Sequence, residues 1–431
     1  MRIVYLTAGA AGMYCGSCLH DNALVKALQR QGHDAILQPI YTPIVTDQED
    51  ISNKRLFLGG INVYLQQVSP LFRKLPGWLD GVLNSARLVG WVAARASNRT
   101  PRNLGALTVS MLRGPRGNQR KEMQRLADWL AELQPDVVIF SNLMIAGCID
   151  MLREKLDAVM AVVLQGDDIF FEGLPEPWRT EAMAELRSLS KRVDLFFAHS
   201  LDYGKRMAEL LQFDVARLSV VPLGIDADDL FTIRRDPSSE HLPAIGYLAR
   251  IAPEKGLHLL VEAFRHVRAE IPQAQLHIAG WLGREHEAYW QEQKKQLAAA
   301  SLADCYTYYG TIDRAEKRRF LSRIDILSVP TTYREPKGMF VLEGLAAGVP
   351  YVEPAHGAFP EIHQRLGGGR LFPPGDVQHL VDLLIGLLSD RQEARQLGTQ
   401  GREALKRHGT VDTEAKHIVD QLQRHIAPST P

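Results

Sequence analysis

Residues 324–350 read IDILSVPTTYREPKGMFVLEGLAAGVP, and the pattern of this stretch predicts the type of fold. The apolar run 324–329 predicts a buried strand. A glycine turn at Gly338 follows, and a helical pattern then continues to Ala346. A short apolar strand that passes through a glycine turn into a helix is typical of the repeating unit of an α/β domain.

The same alternation of strand and helix occurs in both halves of the chain. Strands are predicted in the first half at 3–6, 35–37, 137–140, 161–164, 195–198 and 220–222, with a helix from about 18 to 31 and another at 125–133. Strands are predicted in the second half at 244–247, 276–279 and 324–329, with a helix at 256–271. The polar stretch 234–242 separates the halves and is predicted to be a linker. We therefore predict an α/β fold with two domains, 1–225 and 240–411.

Composition excludes several classes of protein. The 431 residues include 50 Lys and Arg and 50 Asp and Glu, so the formal net charge is zero, which disfavours a protein held to nucleic acid by its overall charge. Four cysteines are too few for a disulfide scaffold in a chain of this length. The sequence offers no run of about 18 apolar residues that would predict a membrane span. These features favour a cytoplasmic protein.

The neutral total conceals one strongly basic segment. Residues 71–121 carry ten Lys and Arg side chains against Asp80 alone, a net charge of +9, and Trp78 and Trp91 lie among them. This segment belongs to an insertion in the first domain at about 60–121. One interpretation is a helical insertion whose charges face solvent. The other is a surface for an anionic acceptor or for peripheral contact with the inner face of a membrane.

Two carboxylates, Glu335 and Glu343, stand eight residues apart across the glycine turn. A carboxylate accepts hydrogen bonds from paired sugar hydroxyls, so both are suited to a nucleotide-sugar ligand. The backbone amides of Gly338, Met339 and Phe340 would be donors at a helix start, where anions bind. The alternative is that these carboxylates only compensate the helix dipole.

A second candidate site is the loop that follows the strand at 244–247. It carries Arg250 and Lys255 and ends at Gly256, where a helix begins. Two cations five residues apart on a short loop can converge on a diphosphate. They could stabilise a departing diphosphate without a metal ion. The alternative is a pair of solvated loop cations.

Together these motifs resemble the retaining glycosyltransferases of family 4. Arg250-x4-Lys255-Gly256 resembles the diphosphate-binding pair of that family, and Glu335-x7-Glu343 followed by GLAAGVP resembles its carboxylate signature. The segment 221–226, VPLGID, resembles the stretch that leads into the second domain. The resemblance covers most of the chain.

The resemblance implies a GT-B architecture, in which two Rossmann-like domains face each other across a cleft and a helix at about 412–426 packs back on the first domain. It implies transfer of a hexose from a nucleotide-sugar with retention, no cofactor and no metal. Glu335 would contact the sugar hydroxyls and Glu343 the ribose. The predicted catalytic residues are Arg250, Lys255 and Glu335. The predicted donor-binding residues are Gly16, Arg250, Lys255, Glu335, Gly338, Met339, Phe340 and Glu343.

The first domain departs from the family pattern. The turn after strand 161–164 has Gln165 where the family often has histidine, so no catalytic histidine is assigned. The predicted acceptor-side residues are Asn142, Gln165, Asp167 and Asp168, although the two aspartates are equally typical of turn and helix-capping residues. The glycine-rich loop before the first helix has Cys15-Gly16 where the family more often has two glycines. Cys15 and Cys18 form a Cys-x-x-Cys pattern, but the rest of the chain gives no support to a redox domain.

The acceptor is open among a glycan, a lipid-linked molecule and a small molecule. Two other functions remain as alternatives at this point. One is a nucleotide-sugar epimerase or hydrolase of related fold, and the other is a nucleotide-binding protein without catalysis.

Overall fold

A computed structural model describes residues 1–9, 16–58, 63, 66, 67, 101–234 and 242–426. Most of the loop before the first helix, the linker and residues 71–100 of the basic segment, with Trp78 and Trp91, lie outside the described residues. The chain divides into two compact units. The first contains Met1–Pro222 together with the segment that starts at Glu414, and the second contains Leu223–Thr413.

The described strands of the first unit form one parallel sheet in the order β2-β1-β3-β4-β5-β6. They are β1 (Arg2–Thr7), β2 (Asp34–Pro39), β3 (Val137–Phe140), β4 (Val159–Leu164), β5 (Leu195–Ala198) and β6 (Leu218–Val220). The helices are α1 (Gly16–Arg30), α2 (Pro101–Leu112), α3 (Arg120–Leu133), α4 (Ile149–Arg153), α5 (Asp168–Glu172), α6 (Trp178–Ser190) and α7 (Leu201–Leu211). The central strands are buried throughout, because a parallel sheet is covered by helices on both faces.

The second unit has its own parallel sheet, in the order β12-β11-β10-β7-β8-β9. The strands are β7 (Ala244–Leu248), β8 (Gln275–Ala279), β9 (Tyr306–Tyr308), β10 (Ile326–Leu327), β11 (Tyr351–Pro354) and β12 (Gly369–Phe372). The helices are α8 (Leu257–Glu270), α9 (Glu287–Ala299), α10 (Arg314–Arg323), α11 (Met339–Ala346), α12 (Phe359–Leu366), α13 (Val377–Ser389) and α14 (Arg391–His408). A last helix, α15 (Val411–Ile426), begins in this unit and continues in the first.

Two predicted strands extend beyond the strands of the structure. The strand predicted at 220–222 is β6, Leu218–Val220, and its ladder stops where Pro222 offers no N–H. The strand predicted at 324–329 is reduced to Ile326–Leu327, although the N–H of Ser328 still donates to the carbonyl of Gly246 at 2.9 Å. Pro330 again ends the pattern. Among the described helices, none has the length and apolar character needed to cross a bilayer.

Candidate functional site

The loop that carries Arg250 and Lys255 lies against the loop that follows β10. Gly256 has a φ of +71°, and a Cβ at this position would lie 1.8 Å from the carbonyl oxygen of Pro330. The N–H of Thr332 donates to the carbonyl of Glu254 at 2.9 Å. Glycine is required here because of both its positive φ and the close approach of the two backbones. These contacts fix Lys255 beside the loop that contains Glu335.

Lys255 and Glu335 form an ion pair that also includes Tyr333. Lys255 Nζ lies 2.7 Å from Glu335 Oε2 and 2.7 Å from the Tyr333 hydroxyl. The Tyr333 hydroxyl lies 2.5 Å from the same carboxylate oxygen. The Lys255 side chain is 13% exposed and that of Glu335 is 6% exposed, so solvent screens this pair weakly. Two residues predicted to be catalytic are thus in direct contact.

The second oxygen of Glu335 faces the backbone of the glycine turn. Oε1 accepts from the N–H of Lys337 at 3.3 Å and from that of Gly338 at 3.2 Å. Burial alone would raise the pKa of Glu335, but the Lys255 ammonium and the hydrogen bonds from Lys255, Tyr333 and Gly338 outweigh burial and lower that pKa to about 2. Glu335 is therefore ionised at physiological pH.

Arg250 lies in a more open place than Lys255. Its guanidinium is 3.1 Å from Glu254 Oε1, and its side chain is 46% exposed. The hydroxyl of the buried Tyr247 donates to the backbone carbonyl of Arg250 at 2.9 Å and so holds the loop in place.

The glycine turn begins α11 in the manner that the sequence indicates. Gly338 is the residue before the helix and has a φ of +66°. Its amide, expected to be a donor for an anion, instead donates to Glu335. Met339 and Phe340 hold the first helical positions, where no preceding turn supplies a carbonyl to their amides. The Phe340 ring centroid lies 5.9 Å from Lys255 Nζ.

Glu343 is paired with a lysine that the sequence analysis did not single out. Lys317, on α10, places Nζ 2.8 Å from Glu343 Oε1, and the two side chains are 8% and 10% exposed. The carboxylate predicted to hold the ribose is thus oriented by a largely buried cation.

A third carboxylate, that of Glu353 on β11, is fully buried and lies close enough to Glu335 and Lys255 to feel their charges. Its Oε1 accepts from the N–H of Val329 at 2.9 Å, and its Oε2 has no hydrogen-bond partner among the described residues. Burial, and to a lesser extent the charge of Glu335, raise the pKa of Glu353 well above its usual value. Burial therefore favours the uncharged form of Glu353.

The predicted acceptor-side residues lie in the first unit, at the carboxyl ends of its strands. Gln165 follows β4, and its Nε2 donates to the carbonyl of Ser141 at 2.6 Å and to Asp21 Oδ1 at 3.4 Å. Asn142 Nδ2 is 3.5 Å from Ser141 Oγ. Asp21 also accepts from the hydroxyls of Tyr5 and Thr7 at 2.8 and 2.7 Å. Gln165 is therefore held by a buried polar network.

Asp168 makes contacts that connect two helices. Its carboxylate accepts from the Tyr203 hydroxyl at 2.9 Å and lies 3.2 Å from Arg206, so it ties α5 to α7. Asp167 is the residue before α5 and makes no side-chain capping bond there. Gly16 is the first residue of α1.

Next to Asp21, three buried titratable side chains converge from distant parts of the chain. His20 Nε2 lies 2.9 Å from both carboxylate oxygens of Glu414 on α15. His199 Nδ1 lies 3.7 Å from Glu414 Oε1 and 3.1 Å from the carbonyl oxygen of Val221. The potential ligand atoms of the three residues all lie within 4.8 Å of one another, so they could hold a metal ion. The short His20–Glu414 distances are those of a hydrogen bond.

The sequence did not predict the roles of Tyr333, Lys317, Glu353 and this histidine cluster. Most of their partners lie 22 or more residues away, although one partner of Tyr333, Glu335, follows it by only two residues. The sequence offered one signal for His20, which begins the polar run His20-Asp21-Asn22 among the apolar residues of α1. In the structure, all three of these polar residues are buried. A polar run on a buried helix indicates partners from elsewhere.

Comparison with known proteins gives a family match for part of the chain. Residues 231–404 match the family described as "Glycosyl transferases group 1". These residues are a group 1 glycosyl transferase domain. It contains Arg250, Lys255, Glu335 and Glu343, and the resemblance to family 4 that the sequence motifs indicate is confirmed.

Two relatives whose names state an activity match part of this chain. The GDP-mannose-dependent alpha-(1-6)-phosphatidylinositol monomannoside mannosyltransferase of Mycobacterium tuberculosis is 28% identical over 224 residues, which cover 48% of this chain and 56% of the relative. The sulfoquinovosyl transferase SQD2 of Arabidopsis thaliana is 23% identical over 66% of this chain and 56% of its own length. The chain thus spans little more than half the length of these relatives.

A solved structure extends the likeness to the whole chain. The sucrose-phosphate synthase of Thermosynechococcus elongatus superposes with a TM-score of 0.71 at 16% identity, covering 100% of both chains. Identity this low shows the fold alone. The predicted α/β fold of GT-B type is confirmed.

Proposed function

We propose that this protein is a retaining glycosyltransferase that moves a hexose from a nucleoside diphosphate-sugar to an acceptor hydroxyl. The observation that carries the proposal is the ion pair between Lys255 and Glu335, at 2.7 Å, inside the group 1 glycosyl transferase domain. It brings a cation suited to a diphosphate into contact with a carboxylate suited to sugar hydroxyls.

In the proposed mechanism, the chain's own cations take the charge of the departing diphosphate. Lys255 donates to a phosphate oxygen. Arg250, which is more exposed to solvent, donates to the same diphosphate. Their charge stabilises the transition state in which the bond to the nucleotide breaks. The departing phosphate takes the proton of the acceptor hydroxyl on the same face of the sugar, so the configuration is retained and no side chain needs to act as a base.

Glu343 would bind the ribose, because a carboxylate with one oxygen on Lys317 still has lone pairs for vicinal hydroxyls. On the acceptor side, Asn142 and Gln165 would contact the acceptor. The direct contacts of Asp168 with Tyr203 and Arg206 favour a supporting role for that residue.

The acceptor is proposed by analogy with the mycobacterial relative, whose name specifies a phosphatidylinositol-linked acceptor. A lipid-linked acceptor agrees with the net charge of +9 in segment 71–121, because basic and aromatic side chains together suit an anionic lipid surface. The protein would then work in the cytoplasm, at the inner face of the membrane.

The test begins with thermal shift assays of UDP, GDP and ADP. A ligand at 100 times its Kd stabilises the folded protein by about 2.7 kcal/mol, which is readily measured. The matching nucleotide-sugars are then incubated with anionic vesicles that contain phosphatidylinositol, and with soluble sugars. A glycosylated product supports the proposal. Release of nucleotide with free sugar or an epimer and no product would favour a hydrolase or an epimerase, and binding without turnover would favour a non-catalytic protein.

A further inference from the structure

Tyr333 touches both residues at the centre of the proposed reaction. Its hydroxyl lies 2.7 Å from Lys255 Nζ and 2.5 Å from Glu335 Oε2. Lys255 Nζ also lies 4.8 Å from the centroid of the Tyr333 ring, within the range of a cation–π contact. An ammonium group only donates, so the phenol oxygen accepts from Lys255 and the phenol proton goes to Glu335.

The carboxylate of Glu335 has a full set of partners. Lys255 and Tyr333 donate to Oε2, and the amides of Lys337 and Gly338 donate to Oε1. A carboxylate offers about four acceptor positions. A sugar hydroxyl can therefore bind Glu335 only if one of these four donors leaves.

Lys255 is the donor with another destination. The two amides belong to the turn that starts α11, and Tyr333 is half-buried in the same loop. Lys255 has a long flexible side chain and would be drawn toward a diphosphate, which carries more negative charge than one carboxylate. When Lys255 moves, Glu335 needs a second donor to keep its position.

We propose that Tyr333 is a positioning residue of the donor site, which aligns Lys255 before the diphosphate binds and holds Glu335 in place afterwards. This inference rests on the proposed function, because it takes the ligand of Lys255 to be the diphosphate of the donor. Tyr333 acts through Lys255 and Glu335.

Tyr333 is not suited to act as a base. Burial, followed by the charge and hydrogen bond of Glu335, raises the pKa of Tyr333 well above its usual value. The phenol therefore keeps its proton at neutral pH and remains a donor to Glu335.

The experiment compares Tyr333→Phe, Lys255→Met and the double variant by calorimetry, using UDP, GDP and ADP and the corresponding nucleosides. We expect Tyr333→Phe to weaken the nucleoside diphosphate that binds by about 10-fold and to leave the nucleoside nearly unchanged. In the Lys255→Met background, Tyr333→Phe should have little further effect, because the residue through which it acts is gone.

Tyr351→Phe is the matched control. Tyr351 is buried in the same unit and its hydroxyl is 3.0 Å from His363 Nδ1, so the variant also loses a hydroxyl with a side-chain partner. Its nucleotide affinities should equal those of the wild type.

Three outcomes would overturn the role of Tyr333: unchanged or tighter binding of the diphosphate, equal losses for diphosphate and nucleoside, or additive effects of the two substitutions. A wild-type protein that binds none of the three diphosphates would instead show that the proposed function is wrong. The proposed role of Tyr333 would then be wrong as well.

Discussion

Lys255 and Glu335 neutralise each other across 2.7 Å, although they lie 80 residues apart in the chain. The cation expected on the diphosphate and the carboxylate expected on the sugar are thus a single unit. A substitution at either residue changes the charge that the other one faces.

Glu335→Gln should retain nucleotide binding and lose most of the sugar transfer. The neutral amide keeps the shape but loses charge-assisted hydrogen bonds, each of which contributes about 1.5–3 kcal/mol. The rate should fall by roughly 10- to 150-fold, measured as kcat/KM with the identified donor. Glu262→Gln, an exposed residue of α8, is the control. A Glu335→Gln variant with the wild-type rate would exclude a catalytic role.

The stability of the protein in acid should depend on Glu335. Its folded-state pKa of about 2 lies below the unfolded value of about 4.3. The ionised group therefore stabilises the fold above the unfolded pKa, by about 3 kcal/mol, and this contribution is lost as pH falls from about 5 toward 2. Denaturant unfolding at pH 3 to 7 should show a steeper loss for the wild type than for Glu335→Gln. Parallel curves would contradict the ion pair.

Glu353 should affect stability with the opposite sign. Its pKa is raised in the folded state, so the native protein binds more protons than the unfolded chain above pH of about 4.3. The free energy of unfolding should therefore fall as pH rises through this range, by up to about 1.4 kcal/mol per pH unit. Glu353→Gln should remove that slope. The measurement is denaturant unfolding at pH 5, 6.5 and 8, and a variant that keeps the wild-type slope would contradict the raised pKa of Glu353.

Lys255→Met and Arg250→Ala should weaken a nucleoside diphosphate much more than a nucleoside. The loss should be larger for Lys255, which is 13% exposed, than for Arg250, which is 46% exposed, because water screens the more open cation. Titration calorimetry with both ligands measures the difference. Equal losses for the two ligands would point to damage of the loop rather than to lost phosphate contacts.

Glu414→Gln should destabilise the first unit by about 1–3 kcal/mol, the usual cost of losing a partner in a buried hydrogen bond. The carboxylate is fully buried with His20 Nε2 at 2.9 Å, so it has no access to water. A double-mutant cycle with His20→Asn measures the coupling, and Asp420→Asn, exposed on the same helix, is the control. Additive effects in the cycle would show that the two residues do not stabilise each other.

The alternation of strands and helices could be predicted from the sequence because apolar runs such as 137–140 are local and continuous. The motif residues Glu335 and Glu343 could be found because their spacing is local as well. Their partners could not, since Lys317 lies on α10 and Lys255 follows β7, and only the sheet order brings these elements together. The early end of β6 could have been predicted from Pro222, whose missing N–H has a local effect.

The position of Glu414 near the end of the sequence affects the order in which the two units can fold during synthesis. His20 leaves the ribosome 394 residues before the carboxylate that it binds, which at about 5–20 residues per second is roughly 20–80 s of synthesis. Residues 223–413 are complete before the first unit receives its last segment. The second unit therefore has the opportunity to fold before His20 meets its hydrogen-bond partner Glu414.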